Sequence, residues 1–459
     1  MSGAQVRASF FALLSFVSLV SCSEPRAPVP QAPKAPDRSL LLIAIDGLRH
    51  DYLDDETHAI PTLRRLATEG ARARSLRSVW PSVTYPAHAT LVTGVSPARH
   101  GIVNNVLFDP YEKNEGGWYW YASDLKVPTL WDAATEAGID VANATWPVTV
   151  GARIRHNLPQ WWRAKHVEDE KILALISSPG LFAEVAKVAP PPGEHRDDRA
   201  RADAAITLLR NKRPGFTLAY LTDLDTVQHA HGPMSKEAWS TLERIDGLVN
   251  EIIAAAEPRG LSVAIVSDHG FVPVDTDVRP NVALRAEGLL TSRTRTDWGR
   301  SEEVLDTYEA VTWKAGGSAA IMGKRGREEP VASRVKALFA KLAADPANKI
   351  SVVDGAEVER AGGFPGAIVV LQAAAGATFS ERYDPPMVAP SKYRGMHGHR
   401  PDLPEMGASF VLWGHGVRPG DLGEVSMLDV APTLAVILGV SLPTAEGKPI
   451  AAALVTTTR

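Results

Sequence analysis

Three short, largely apolar runs, each leading into an acidic residue, punctuate the first 270 residues. Leu40–Ile45 ends in Asp46-Gly47, Phe216–Leu221 runs into Thr222-Asp223-Leu224-Asp225, and Val263–Ser267 ends in Asp268-His269-Gly270. An apolar stretch without alternation is what a strand covered on both faces requires. The segments between follow a helical period. Pro61–Ala67 has a proline at its start, apolar residues three apart and Gly70 just past its end, and amphipathic stretches run from about Asp198 to Leu209 and from Lys236 to Ala255. Strands alternating with helices predict an α/β fold with a mostly parallel central sheet and helices on both faces. In open sheets of this kind the ligand crevice lies outside the carboxyl ends of the strands. Three separated segments are therefore expected to deliver carboxylates and an imidazole to one crevice.

The chain's beginning has a different pattern. Arg7 precedes the apolar stretch Phe10–Val20, which is too short to span a bilayer comfortably and has the length of a signal-peptide core, so residues 1–21 are expected to be removed. Cys22 is the only cysteine and follows Leu19-Val20-Ser21, which resembles the lipobox of bacterial lipoproteins. With no disulfide partner to explain it, Cys22 is expected to carry a lipid anchor, in the periplasm or at the outer membrane. Residues 22–37 are proline-rich and read as an extended tether. The catalytic core is expected over 38–280 and 393–459, with 281–392 inserted as a cap-like subdomain.

Composition narrows the function. A chain of 459 residues with 45% hydrophobic and 22% charged residues can build an ample core, and a net charge of -4 supplies no basic field for nucleic-acid phosphates. Asp225 and His229 stand at i and i+4, close enough on a helix to share one cation. Asp268-His269 and His397-Gly398-His399 add further donors. Carboxylate and imidazole sets suit zinc, and manganese accepts them too; no thiolate site is available.

The most specific segment is Pro81-Ser82-Val83-Thr84-Tyr85-Pro86-Ala87-His88, followed by Asn104-Asn105. With Ala44-Ile45-Asp46-Gly47, Trp146-Pro147, Asp225 with His229, Asp268-His269-Gly270 and Gly395-Met396-His397-Gly398, it resembles the nucleotide pyrophosphatase/phosphodiesterase family of the alkaline phosphatase superfamily. The resemblance implies an alkaline-phosphatase-like core and two zinc ions. Asp46, Thr84, Asp268 and His269 would hold one, and Asp225, His229 and His397 the other. It implies Thr84 as nucleophile, a phospho-threonine intermediate, and Asn105 as a donor to the phosphoryl oxygen together with the backbone N–H after the nucleophile. The substrate would be a small phosphodiester or nucleotide.

Departures from the family pattern bear on specificity. Tyr85 replaces the usual Phe, and with Tyr220 it is expected to clamp a base by stacking. Gln228 stands where Gly is common, and His399 where Tyr is common. Trp118, Trp120, Trp161 and Trp162 either line a cleft or pack an insertion. A sulfatase is disfavoured because Thr84-Tyr85-Pro86-Ala87-His88 lacks the Cys/Ser-x-Pro-x-Arg pattern. A phosphate monoesterase is the closest rival, but no Lys-x-Arg pair lies near Asn143–Val150; Arg153 and Lys165 are the remaining cations in reach. A catalytically inactive zinc-binding surface lipoprotein would have lost a ligand or the nucleophile, and none is missing.

Overall fold

The computed structural model describes residues 38–114, 117–161, 168–188, 197–256, 260–297, 300–324 and 328–455. The expected leader, the tether with Cys22, and the residues Trp162 and Lys165 lie outside the described residues. Among the described residues no helix is long and apolar enough to cross a membrane.

An eight-stranded sheet organises the chain. Its order is Gly420–Asp421, Ala71–Arg72, Phe410–Gly414, Leu261–Val266, Ser39–Ile45, Phe216–Leu221, Val141–Ala144 and His156–Leu158. Ser39–Ile45 is central and parallel to both neighbours, with Ala44 in register with Tyr220 on one side and Val266 on the other. Phe410–Gly414 runs antiparallel beside Leu261–Val266.

The period-2 alternation of a strand divides the apolar run between two cores. Leu41, Ile43 and Ile45 pack with Leu63, Leu66, Leu208, Leu242 and Val249 from the helices Pro61–Glu69, Asp198–Lys212 and Lys236–Ala255. Leu40, Leu42 and Ala44 pack with Leu91, Val92, Leu130 and Leu434 from Thr84–Thr93, Leu130–Glu136 and Val430–Leu438. A polar residue anywhere in the run would enter one of these cores. Helix starts are capped both from a distance and locally. Asp246 accepts the Thr62 and Leu63 N–H groups at 3.0 and 2.7 Å, and Ser235 accepts the Ala238 N–H at 3.2 Å.

The segment 281–392 builds its own layer. Ala310–Ala315, Ser318–Gly323, Ala367–Ala373 and Ile350–Val352 form an antiparallel sheet over which Val335 and Phe339 of Glu328–Ala343 pack, in one core with Val311, Ile321 and Leu371. Gly376–Phe379 and Val388–Pro390 pair with Val272–Val278, ahead of residue 281.

Candidate functional site: a buried carboxylate–imidazole centre

The carboxyl ends of the three predicted strands converge. Asp46 follows Ser39–Ile45, Asp268 and His269 follow Leu261–Val266, and Asp225 and His229 lie on the helix Asp223–His231 just after Phe216–Leu221. His397 arrives from the distant turn after Gly395–Met396. Asp46, Asp268 and His269 each offer a ligand atom within 4.8 Å of the others, and so do Asp225, His269 and His397. His269 belongs to both groups. Its Nε2 lies 3.1 Å from Asp268 Oδ2 and 3.3 Å from Asp46 Oδ1, while Asp225 Oδ1 lies 3.6 Å from His397 Nε2 and 3.5 Å from His229 Nε2.

Each imidazole is turned the same way. The Nδ1 atoms of His229, His269 and His397 sit 3.0, 3.1 and 3.3 Å from the carbonyls of Gly395, Gly270 and Ser82. A carbonyl can only accept, so Nδ1 carries a proton and Nε2 is the atom turned to the centre, the arrangement found behind metal-binding histidines. The carboxylates are anchored by one oxygen as well. Asp268 Oδ1 accepts the Gly47 and His269 N–H groups, both at 3.1 Å, and Asp46 Oδ2 accepts the Tyr220 hydroxyl. Gly47 permits this approach: its φ is +69°, and a Cβ there would sit 2.9 Å from the Gln228 amide and from the Phe271 ring.

The opposite atoms are orphaned. Asp46 Oδ1, Asp225 Oδ1, Asp268 Oδ2 and His269 Nε2 are buried and make no hydrogen bond among the described residues. Burial pushes the Asp46 carboxyl well above its usual range, and Asp268 and Asp225 push it further. Burial also raises Asp225, against His229. At Asp268 burial is outweighed by His269, which holds the carboxyl low, and Asp268 in return holds His269 above its usual value against burial. His397 is driven well below its usual value by burial and by His269 and His229. Leaving buried charges unpaired costs several kcal/mol per ion. Orphaned carboxylate oxygens and imidazole nitrogens facing one another are the donor set a divalent cation satisfies once it displaces their protons, so the residues present fit a metal.

Thr84 opens the helix Thr84–Thr93, all ten residues of which are buried, and helix N-termini favour anions. His88 ties this start to the centre, its Nδ1 lying 2.8 Å from the Thr84 carbonyl and 3.6 Å from Asp268 Oδ2. The Tyr85 N–H donates to Asn105 Oδ1 at 2.8 Å, which commits the amide oxygen and leaves Nδ2 as the donor. The backbone N–H expected to share the phosphoryl oxygen with Asn105 thus engages Asn105 itself in this state. Asn105 is in turn seated by Asn104, which accepts its N–H at 2.8 Å and donates to the Lys314 carbonyl at 2.9 Å.

Two expectations require correction. Tyr220 is 2% exposed, on the apolar face of its strand, with its hydroxyl directed to Asp46, so no ring face is open to a base. Tyr85 is fully buried, enclosed by Trp118 and Trp120 at 5.2 and 5.9 Å with its hydroxyl on Gln160 Oε1 at 3.1 Å. The tryptophan cluster packs against itself, with Trp120 and Trp161 5.1 Å apart, and Arg153 pairs with Glu136 at the surface.

Gln228 and His399, noted above only as departures, hold the frame. Gln228 accepts the Tyr52 hydroxyl at 3.0 Å and donates to the Gly47 carbonyl at 2.9 Å, fixing the turn after Asp46. His399 lies 2.9 Å from the Ala377 carbonyl and fills the space a Cβ on Gly317 would need. Asn104 was legible only as half of an Asn-Asn pair. Gln228 carried no signal beyond its place between two ligands.

Fold and site together define an α/β protein with a candidate metal centre at the carboxyl ends of a parallel sheet. The chain belongs to the type I phosphodiesterase / nucleotide pyrophosphatase family, whose sequence model matches residues 40–399. Human ectonucleotide pyrophosphatase/phosphodiesterase family member 1 is 26% identical over 245 residues, 50% of this chain and 23% of that protein. Venom phosphodiesterase 2 of Crotalus adamanteus is 26% identical over 251 residues, 52% of this chain and 27% of that protein. The matches thus span about a quarter of the length of these relatives. Murine ectonucleotide pyrophosphatase/phosphodiesterase 5, solved as an inactive variant in complex with AMP, superposes with a TM-score of 0.61 at 19% identity, covering 90% of this chain and 97% of that one. The human counterpart superposes at 0.62 with 20% identity. These superpositions show a shared α/β fold.

Proposed function

We propose that this chain is a zinc-dependent phosphodiesterase or nucleotide pyrophosphatase that works through Thr84. The observation carrying the reading is the set of four orphaned ligand atoms beside the helix that Thr84 opens. Asp46, Asp268 and His269, with Thr84, would hold one zinc ion, and Asp225, His229 and His397 the other. Bound zinc would supply Lewis-acid stabilisation of charge on attacking and departing oxygens and ease deprotonation of a hydroxyl.

The chain's own residues do the rest. Thr84 Oγ attacks phosphorus, the bond to the leaving alkoxide or phosphate breaks, and the phosphoryl group is carried on Thr84. Water then attacks the same phosphorus and Thr84 departs with its oxygen. The Asn105 Nδ2 donor and the helix N-terminus face the negative charge that grows on the non-bridging oxygens. A phosphodiester or nucleotide suits the site because no Lys-x-Arg pair lies near Asn143–Val150 to receive the second charge of a monoester. The AMP complex of the murine structural neighbour supports a nucleotide as substrate class. In the test, zinc-replete protein hydrolyses bis-p-nitrophenyl phosphate in preference to p-nitrophenyl phosphate, and Thr84→Ala abolishes it. Preference for the monoester assigns the chain to the phosphatase branch instead.

A further inference from the structure

We propose that Tyr220 is a positioning residue that aims Asp46 at the metal, an inference that rests on the metal-dependent reading above. The two carboxylates of the first ligand group are oriented by different means. Asp268 Oδ1 accepts two backbone N–H groups, from Gly47 and His269 at 3.1 Å, with the Ser267 hydroxyl further off at 3.4 Å. Among the described residues the Tyr220 hydroxyl donates to Asp46 Oδ2, and this leaves Oδ1 as the orphaned atom 3.3 Å from His269 Nε2.

Register explains how Tyr220 reaches it. Tyr220 lies opposite Ala44 in the parallel pair of strands, on the same face, and Asp46 is two residues further on, roughly 6.6 Å along the strand. A phenol leaning along the strand spans that distance; a shorter side chain does not. The ring itself is held from several directions. His88 meets it edge-on at 4.6 Å and 71°, the Arg201 guanidinium lies 5.3 Å from its centroid, and Arg201 donates to Thr145 Oγ1 at 2.7 Å. Arg201 is itself 6% exposed, which places a buried cation one ring away from the carboxylates. The hydroxyl position is therefore set by packing rather than by a freely turning side chain. Groups that orient metal ligands in this way typically change affinity by about ten- to a hundred-fold when removed.

The test is zinc affinity measured by chelator competition on the full chain, in wild type, Tyr220→Phe, Asp46→Asn and the double variant, with unfolding temperature followed alongside. Phenylalanine keeps the buried ring and removes one hydroxyl. The expected result is that Tyr220→Phe weakens one of the two zinc sites by about ten- to a hundred-fold while the other is unchanged, and that it adds no further loss in the Asp46→Asn background. Equal weakening of both sites, or losses that multiply in the double variant, would assign Tyr220 a general packing role and overturn the inference. A wild type that binds two zinc ions, with Tyr220→Phe indistinguishable from it, overturns this inference alone. A wild type that binds none overturns the metal reading as well.

Discussion

His269 and His397 stack with ring centroids 3.8 Å apart and planes inclined by only 10°. Two imidazoles this close cannot both be charged, and the structure divides them, with His269 raised despite burial by Asp268 and His397 lowered by burial and then by His269 itself. His269 therefore sits at the junction of the two ligand groups.

The two histidines serve different proposed sites. His397→Ala removes a ligand from one and His269→Ala a ligand from the other, so each is expected to lower bound zinc from about two equivalents to about one, and the double variant to lose both. Metal analysis of the dialysed variants reads the stoichiometry, and two equivalents retained in either single variant would contradict its assignment as a ligand.

Proton release should accompany metal uptake. Asp46 is raised by burial and by Asp268 and Asp225, and His269 is raised by Asp268, so the metal-free centre holds protons that a cation displaces. A group with a raised folded-state value keeps its proton to higher pH, so zinc affinity is expected to increase with pH across the titration of these groups. Calorimetric titration in buffers of different ionisation enthalpy counts the protons released.

Gly47→Ala is expected to destabilise the fold and the centre together. The position is left-handed, costing a non-glycine residue about 1–2 kcal/mol, and the new Cβ meets Gln228 and Phe271 at 2.9 Å. Urea unfolding should show a loss of at least this size, accompanied by weaker zinc binding because the Gly47 N–H holds Asp268.

Acid should erode stability through His100. It is fully buried and neutral, its Nδ1 accepting the Ile102 N–H at 3.1 Å and its Nε2 lying 3.1 Å from Thr90 Oγ1, and burial pushes it from 6.5 down to about 3. The folded value is depressed, so the contribution is complete above about pH 6.5 and is lost as pH falls toward 3. In that window one such group steepens the decline by about 1.4 kcal/mol per pH unit. His100→Asn should be less stable at pH 8 yet decline less steeply on acidification, as read from urea midpoints against pH.

We propose from Leu19-Val20-Ser21-Cys22 that the chain is exported and anchored through Cys22. Fatty-acid labelling of the expressed full chain should be present in wild type and absent in Cys22→Ser; labelling of neither would remove the anchor.

The three strands and the acidic residue after each could be read from the chain, because burial on both faces forces an apolar run and the carboxylate must wait for the strand's end. The helix spacing of Asp225 and His229 was legible for the same reason: a local period is set by local geometry. Tertiary structure alone decided which oxygen of each carboxylate faces inward, that Gln228 ties Tyr52 to the Gly47 turn, and that His397 arrives against His269 from 128 positions further along the chain. It also reversed the reading of Tyr85 and Tyr220. A tyrosine next to a nucleophile or on a strand looks the same in sequence whether its ring meets a ligand or a core, and only the neighbours brought in by folding determine which face is closed.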